Sequence, residues 1–252
     1  MKVKLDGTRG SVGRAGPSTV RYGGDTSSVE VSEHGGAVLV LEPSADGGAL
    51  KTGRKGVASY RVELEGRASH AGLEPEKGIN AVLESAHEII DTVALDDPDA
   101  GTTVTPTIVR GGTAVNVIPE LATIEIDVRA ASRFELDRVD AALNARSPRS
   151  GARRRVERMS FRPPLEQEMS ARLFEIAQAV ARDGALPEVT GVVVGGGSDG
   201  NFTAAAGTPT LDGLGAVGDG AHAPHEAVDI GALPARLELL RGLIDALLAT
   251  EA

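Results

Sequence analysis

The sequence predicts an α/β protein in which a βαββαβ module of ferredoxin-like order is inserted into a second α/β domain built from both ends of the chain. Three observations carry this expectation. Apolar residues alternate with polar ones in two segments, Ala58 to Leu64 and Ala122 to Val128, as expected for strands with one buried face. Between them, Ile79, Val82, Leu83, Ala86, Ile89 and Ile90 recur at helical spacing. Outside the module, Ala37 to Leu41 is a continuous apolar run, which fits a strand buried on both faces.

Taken in order, residues 1–36 are rich in Gly, Ser, Thr and Arg and hold no sustained period, so no element is expected there. The Ala37 strand ends at Glu42-Pro43-Ser44, and a polar Gly-rich loop is expected up to Lys55. The module then reads as a strand over Ala58 to Leu64, a helix from about Lys77 to Thr92, and a strand over Thr103 to Val109 leading into Gly111-Gly112. A strand over Ala122 to Val128 follows. The next helix, Ser132 to Leu143, opens on a capping box of Ser132 and Glu135. Val156 to Phe161 is its last strand. After Pro163-Pro164 comes a helix from about Glu166 to Arg182, closed near Gly184. Val189 to Val194 and Thr208 to Leu211 read as strands. A final helix starts near Pro234, a residue that suits a first helical turn, and runs to about Thr250. The expected organisation is therefore 1–36 as an atypical segment, 37–55 with 163–252 as one domain, and 56–162 as the inserted one.

Composition excludes several classes. The chain has 252 residues and a net charge of −10, which argues against non-specific nucleic-acid binding. It has no cysteine, so any metal must be held by His, Asp or Glu. No apolar run approaches the roughly 18 residues of a membrane span. The start lacks a signal-like apolar stretch, so a cytoplasmic location is expected.

Three patterns compete for the C-terminal region. Gly196-Gly197-Ser198-Asp199-Gly200 matches the form of a nucleophile elbow, with Asp212 and His222 following in the order of a serine-hydrolase triad. The span from Ser198 to His222 is short for that fold, and the residues after Ser198 make a poor helix start. Gly213-Leu214-Gly215-Ala216-Val217-Gly218 matches the dinucleotide fingerprint in form, but too little chain follows it for a nucleotide fold. The third pattern is metal hydrolysis. Glu42 ends a buried strand, where open α/β sheets place ligands, and His222 sits in a loop after Gly220. Oxygen and imidazole donors without thiolate suit zinc, manganese or cobalt. A solvated loop carboxylate and an exposed loop histidine are the plain alternatives for these two residues.

Several motifs in fixed order carry a resemblance. They are Gly66-Arg67-Ala68-Ser69-His70-Ala71-Gly72, Gly78-Ile79-Asn80-Ala81, Gly111-Gly112, Asn116-Val117-Ile118-Pro119 and Asp127-Val128-Arg129. Gly195-Gly196-Gly197-Ser198-Asp199 and Gly220-Ala221-His222 complete the set. Over about residues 37–250 the chain resembles the two-zinc metallopeptidase family of glutamate carboxypeptidases, acetylornithine deacetylases and succinyl-diaminopimelate desuccinylases. Val40-Leu41-Glu42-Pro43-Ser44 and Phe161-Arg162-Pro163-Pro164 point to the glutamate carboxypeptidase branch.

The resemblance implies a partial zinc-peptidase α/β domain, an inserted dimerisation (lid) domain and a homodimer formed through that lid. It implies hydrolysis of N-acyl amino acids or small peptides by a water activated between two zinc ions, with Mn2+ or Co2+ as possible substitutes. Glu42 would bind one metal and His222 the other. His70 would reach the partner's active site and polarise the carbonyl or stabilise the oxyanion. Asn116, Arg129 and Arg162 would bind the substrate carboxylate, a task suited to the planar guanidinium fork. Gly196, Gly197 and Ser198 would let backbone approach the substrate. Asn80 is expected to stabilise the start of the lid helix.

The chain also departs from the family. Residues 1–36 hold neither the His-x-Asp motif nor the Glu-Glu pair that the family places upstream of the Glu42 strand, so the general base and the other ligands have no counterpart. Two donors do not hold two zinc ions, since tight sites need three or four. An impaired hydrolase, or a non-catalytic dimeric binding protein, is the corresponding expectation. The bias of five lysines against 21 arginines suggests GC-rich coding, in which wrong reading frames stay open. A frame-shifted start or a disordered tail would each account for residues 1–36.

Overall fold

The computed structural model describes residues 2–6, 28–32, 36–220 and 223–249. Two compact units divide the chain, Gly56–Arg162 and the segments that flank it.

The flanking unit begins with strands β1 (Lys2–Asp6), β2 (Ser28–Ser32) and β3 (Ala37–Val40), paired antiparallel in that order. The sequence, read for periodicity, gave no reason to expect β1 or β2. Strand β4 (Leu50–Arg54) corrects a second expectation, because this stretch reads as a loop. Its Leu-Lys-Thr-Gly-Arg sequence shows no apolar alternation, yet Thr52 and Arg54 are both buried. Polar partners elsewhere in the unit, rather than periodicity, place it.

The inserted unit contains β5 (Gly56–Glu65), β6 (Ser69–His70), helix α1 (Ala81–Val93), β7 (Thr103–Gly111), β8 (Val117–Ile118), β9 (Leu121–Ala130), α2 (Arg133–Ala145) and β10 (Arg153–Arg162). Its main sheet runs β10-β5-β9-β7, antiparallel throughout. The alternation seen in the sequence becomes the core. Ala58, Tyr60, Val62 and Leu64 of β5 pack with Ile124, Ile126 and Val128 of β9, and with Leu136, Val139 and Leu143 of α2. Tyr60 is buried, and its hydroxyl donates to Asp140 Oδ1 at 2.9 Å. Burial, aided by that carboxylate, pushes the Tyr60 hydroxyl pKa upward.

Local signals set the helix ends. α1 starts at Ala81 rather than Lys77 because Asn80 takes the cap position, its side chain accepting the Leu83 N–H at 2.9 Å. Ser132 caps α2 by accepting the Glu135 N–H at 3.3 Å. Only this half of the expected box is seen among the hydrogen bonds: the Glu135 carboxylate instead takes Thr102 Oγ1 at 2.7 Å and Arg138 Nη2 at 2.7 Å. Along α1, Glu84, Glu88 and Asp91 share one face and hold the connection from α2 to β10. Glu84 accepts the backbone N–H groups of Arg149 and Ser150 at 2.9 and 2.8 Å. Glu88 pairs with Arg154 through two bonds of 2.8 Å, and Asp91 pairs with Arg149.

The chain then returns to the flanking unit with α3 (Glu168–Asp183), β11 (Gly191–Val194), α4 (Gly200–Ala205), β12 (Thr210–Leu211), β13 (Gly218–Asp219), β14 (Ala227–Val228) and α5 (Leu233–Ala249). β12 lies parallel to β3 and β11 parallel to β4. Leu39, Leu50, Leu211 and Leu214 form a core with Leu173, Ala177 and Ala181 of α3 and Leu239, Leu243 and Leu247 of α5. Each helix contributes one stripe at four-residue spacing. Gly242 lets the two helices close: a Cβ there would lie 2.4 Å from Val180 Cγ1. No helix among the described residues is long and apolar enough to cross a membrane.

Two carboxyl groups of the inserted unit have pKa values below the ordinary 4.5. Burial works against the charge on Glu84, but hydrogen bonds from Ser150 and Arg149 outweigh it. At Glu135 the Arg138 hydrogen bond dominates over burial. A depressed folded pKa means that the stabilisation is complete above the unfolded value and is lost as pH falls. We therefore expect the unit's melting temperature to drop as pH is lowered through 4.5. At neutral pH, Glu84→Gln should cost about 1 kcal/mol, because it weakens the acceptor of two part-buried hydrogen bonds. Thermal unfolding by circular dichroism across that pH range checks both.

Candidate active site

The glycine-rich loop after β11 is held by a buried polar network. Arg54, at the end of β4, is 4% exposed, and Asp212, just after β12, is fully buried. Arg54 Nε and Nη2 donate to Asp212 Oδ2 and Oδ1 at 2.7 and 2.9 Å, a two-pronged ion pair. Arg54 Nη1 donates to the Gly196 carbonyl at 2.9 Å. Ser198 Oγ donates to Asp212 Oδ2 at 2.5 Å, and the Gly213 N–H donates to Asp212 Oδ1 at 2.5 Å. Asn201 accepts the Ser198 N–H at 2.8 Å and donates to the Pro163 carbonyl at 2.8 Å. Thus the loop is fixed at Gly196 and Ser198, while a Cβ at Gly195 or Gly196 would meet open space. No side chain obstructs approach to the backbone there.

This geometry weighs against the serine-hydrolase pattern. Ser198 is 6% exposed, and its hydroxyl proton goes to Asp212 instead of an imidazole base. Asp212 is already engaged by Arg54, Ser198 and Gly213, so it does not serve as a triad's orienting carboxylate. The short helix α4 does form where the sequence made a poor start, with Thr203 Oγ1 bonded to the Gly200 carbonyl.

Glu42 is half-buried at the end of β3, and its backbone carbonyl accepts the Gly215 N–H at 2.9 Å. Gly215 passes so close that a Cβ would fall 2.4 Å from the Leu41 oxygen. Leu214 N donates to the Val40 carbonyl, and Ser44 N to that of Ala216. Arg236 of α5 clamps the same loop, donating to the carbonyls of Gly213, Gly215 and Gly48 at 2.6, 3.1 and 3.0 Å. Burial lowers the Arg236 pKa. The loop continues through Gly220, where φ is +72° and His225 packs so closely that a Cβ would lie 2.7 Å from its ring. His222 and His34 lie outside the described residues.

The described donors do not fit a two-metal centre. No group of three His, Asp or Glu side chains gathers among the described residues. Glu42 instead lies within electrostatic reach of Lys51, whose pKa is lowered by burial and by Arg54 against the opposing pull of Asp212 and Glu42.

In the inserted unit the four residues implied by the resemblance fall into two pairs. His70 in β6 pairs across to Val117 of β8, and the Ala71 N–H donates to the Asn116 carbonyl at 2.9 Å, so exposed His70 and Asn116 sit together. Arg129 and Arg162 both stand opposite Val57, one on each neighbouring strand, and so share a face and a row. Asp127 holds Arg129 through bonds of 2.9 and 3.3 Å. Val57 is near one end of β5 and Glu65 at the other, about 26 Å away at ~3.3 Å per residue, and the chain reaches His70 only beyond Glu65, in the separate β6–β8 sheet. One lid therefore does not bring all four together.

Sequence reading missed the Arg54–Asp212 network and the Arg236 clamp. Asp212 was singled out only as a triad member, and Arg54 lay in a stretch taken for loop. The available signal is weak: a polar residue at the end of one short strand and another directly after a second.

This arrangement is a ferredoxin-like module inserted into an α/β unit that carries a glycine-rich loop. Residues 52–153 match the peptidase dimerisation domain family. The chain is 33% identical over 215 residues to carboxypeptidase G2 of a Pseudomonas species, covering 82% of this chain and 51% of that protein. It is 28% identical over 224 residues to succinyl-diaminopimelate desuccinylase 2 of Shewanella loihica, covering 82% and 58%. The structure of aminopeptidase PepT from Bacillus cereus shares the fold with a TM-score of 0.68 at 24% identity, over 82% of this chain and 56% of that one. The chain belongs to the peptidase family that includes the carboxypeptidase and the desuccinylase, and it spans about half the length of the curated relatives it matches.

Removing one partner of the buried pair leaves the other charged and unpaired, at a cost of about 3–5 kcal/mol. Arg54→Met and Asp212→Asn should each lower the urea midpoint of the flanking unit accordingly. The double variant should cost less than the sum of the two, because the partners are in direct contact.

Proposed function

We propose that this chain is part of a hydrolase that cleaves the amide bond of N-acyl amino acids or small peptides and works as a homodimer through its lid. One observation carries the reading: His70 and Asn116 are built at one end of the lid, and Arg129 and Arg162 at the other. A single substrate is served by both pairs only if they come from two copies. In this reading Arg129 and Arg162 of one copy bind the substrate's terminal carboxylate. The resemblance groups Asn116 with the two arginines, but because it sits beside His70 it is assigned with His70 of the second copy to the scissile carbonyl, as charge develops on its oxygen. The backbone at Gly196 and Gly197 lines the substrate, and Ser198 holds that loop in place. Glu42 and His222 would be donors for a metal, zinc or in its place manganese or cobalt, which would supply Lewis-acid chemistry toward a bound water. The described donors do not fit a two-metal centre.

That misfit supports a second reading for the 252-residue polypeptide taken alone, namely binding and dimerisation with little hydrolysis. The lack of His-x-Asp and Glu-Glu in residues 1–36 favours it. A cytoplasmic setting suits a small-molecule substrate of this kind.

Two measurements test these readings. The free edge of β7 exposes Ile108 and Val109, and α1 beside it exposes Leu83 and Ile90. We expect a dimer by sedimentation, and Val109→Glu should weaken it at least tenfold, about 1.4 kcal/mol; a monomeric parent chain would overturn the trans arrangement. Zinc content after dialysis should fall well short of two ions per chain, with N-acylglutamate hydrolysis near background. Two tightly bound ions with rapid hydrolysis would establish the enzyme for this polypeptide as it stands.

A further inference from the structure

We propose that the turn after His70 sets the protonation pattern of its ring: Gly72 and Leu73 act as positioning residues that hold the neutral imidazole with its proton on Nε2. The inference deepens the reading of His70 given above and takes its functional meaning from that reading. Its basis is local geometry. The N–H groups of Gly72 and Leu73 both donate to His70 Nδ1, at 3.1 and 3.2 Å. A nitrogen that accepts hydrogen bonds in its ring plane carries no proton, so the neutral ring must carry its proton on Nε2. Rotating the ring by 180° would turn a carbon-bound hydrogen toward the two amides and leave both unsatisfied, so the contacts also fix which face is which.

The turn is braced from both sides. The Ala71 N–H donates to the Asn116 carbonyl at 2.9 Å, and the Glu74 N–H to the His70 carbonyl at 3.1 Å. Pairing of Ser69 with Ile118 and of His70 with Val117 anchors the strand that leads in. Between these braces the amides of Gly72 and Leu73 point at the ring instead of at a backbone carbonyl. Among the described residues nothing accepts from Nε2, and the ring is exposed. The lid tip thus presents a donor, Nε2–H, to whatever docks there. A donor matches an amide carbonyl or an oxyanion. It does not match the role of a base, which needs a lone pair, or of a metal ligand, which needs an unprotonated nitrogen. The turn thereby selects one role for His70 from the several open to an imidazole.

The test is nitrogen NMR on the full chain labelled at histidine, recorded with the ring neutral and without substrate. The His70 signals are identified by their loss in His70→Gln. We expect Nε2 to carry the proton and Nδ1 to show the shift of an unprotonated, hydrogen-bonded nitrogen. Gly72→Ala keeps the amide, and its Cβ would sit at an ordinary 3.7 Å from the ring, so it should leave this pattern unchanged. Leu73→Pro deletes one donor and should move the signals toward the mixture of an unconstrained imidazole. Protonated Nδ1 in the parent chain would overturn the proposal, as would an unchanged pattern in a folded Leu73→Pro chain. If that variant does not fold, Gly72→Pro reads the loss of the other amide, and the parent spectrum is decisive in either case. Unchanged binding of N-acylglutamate by His70→Ala would instead overturn the reading of the site while leaving the tautomer result intact.

Discussion

A carboxylate buried without compensation would unfold much of the flanking unit, and Asp212 avoids this by using both of its oxygens. Arg54 takes one prong of each, Ser198 a second position on Oδ2, and Gly213 a second on Oδ1. The same guanidinium then reaches the Gly196 carbonyl. Strand β4, the end of β12 and the glycine-rich loop are thereby fixed by one group, and none of them can shift without exposing a charge to an apolar interior. Asn201 extends the network to the Pro163 carbonyl, where the chain returns from the inserted unit. The glycines are then free to do what side chains would prevent, because their position is set by neighbours on either side.

The inserted unit solves a different problem. Its sheet is long and antiparallel, so residues a few positions apart on one strand end up far apart in space. The motif histidine and asparagine meet at one end, the two arginines at the other. A strand's length is a rigid spacer, and no local rearrangement closes it. Duplication of the chain is the physical route by which both ends could serve one substrate. The exposed apolar residues on β7 and α1 give such a pairing a surface to bury.

Much of this was legible from residues alone. Period-2 alternation in β5 and β9 marked the lid core, and helical spacing marked α1, with Asn80 as its cap. The motif blocks singled out His70, Asn116, Arg129 and Arg162, which the structure places in two pairs. Boundaries were less legible. The start of α1 moved because a cap outranks apolar spacing, and Glu135 left the capping box because Thr102 and Arg138 offered its carboxylate better partners. Strand β4 was hidden because its buried residues are polar and are satisfied from distant segments.

What the sequence determined by itself were the properties encoded by near neighbours: periodicity, caps, turns and the chemical type of each candidate residue. Only the tertiary structure decided which of those residues meet. Arg54 and Asp212 are separated by more than half the chain, and their pairing follows from the antiparallel bridge between Lys51 and Asp212, with β4 beside β11 and β12 beside β3, rather than from any local pattern. Likewise, the amides of Gly72 and Leu73 meet the His70 ring in a turn that is bonded to the distant Asn116 carbonyl. Long-range pairing carries no signature in a short window, because the entropy of closing so long a loop is offset by contacts that exist only once the fold is complete.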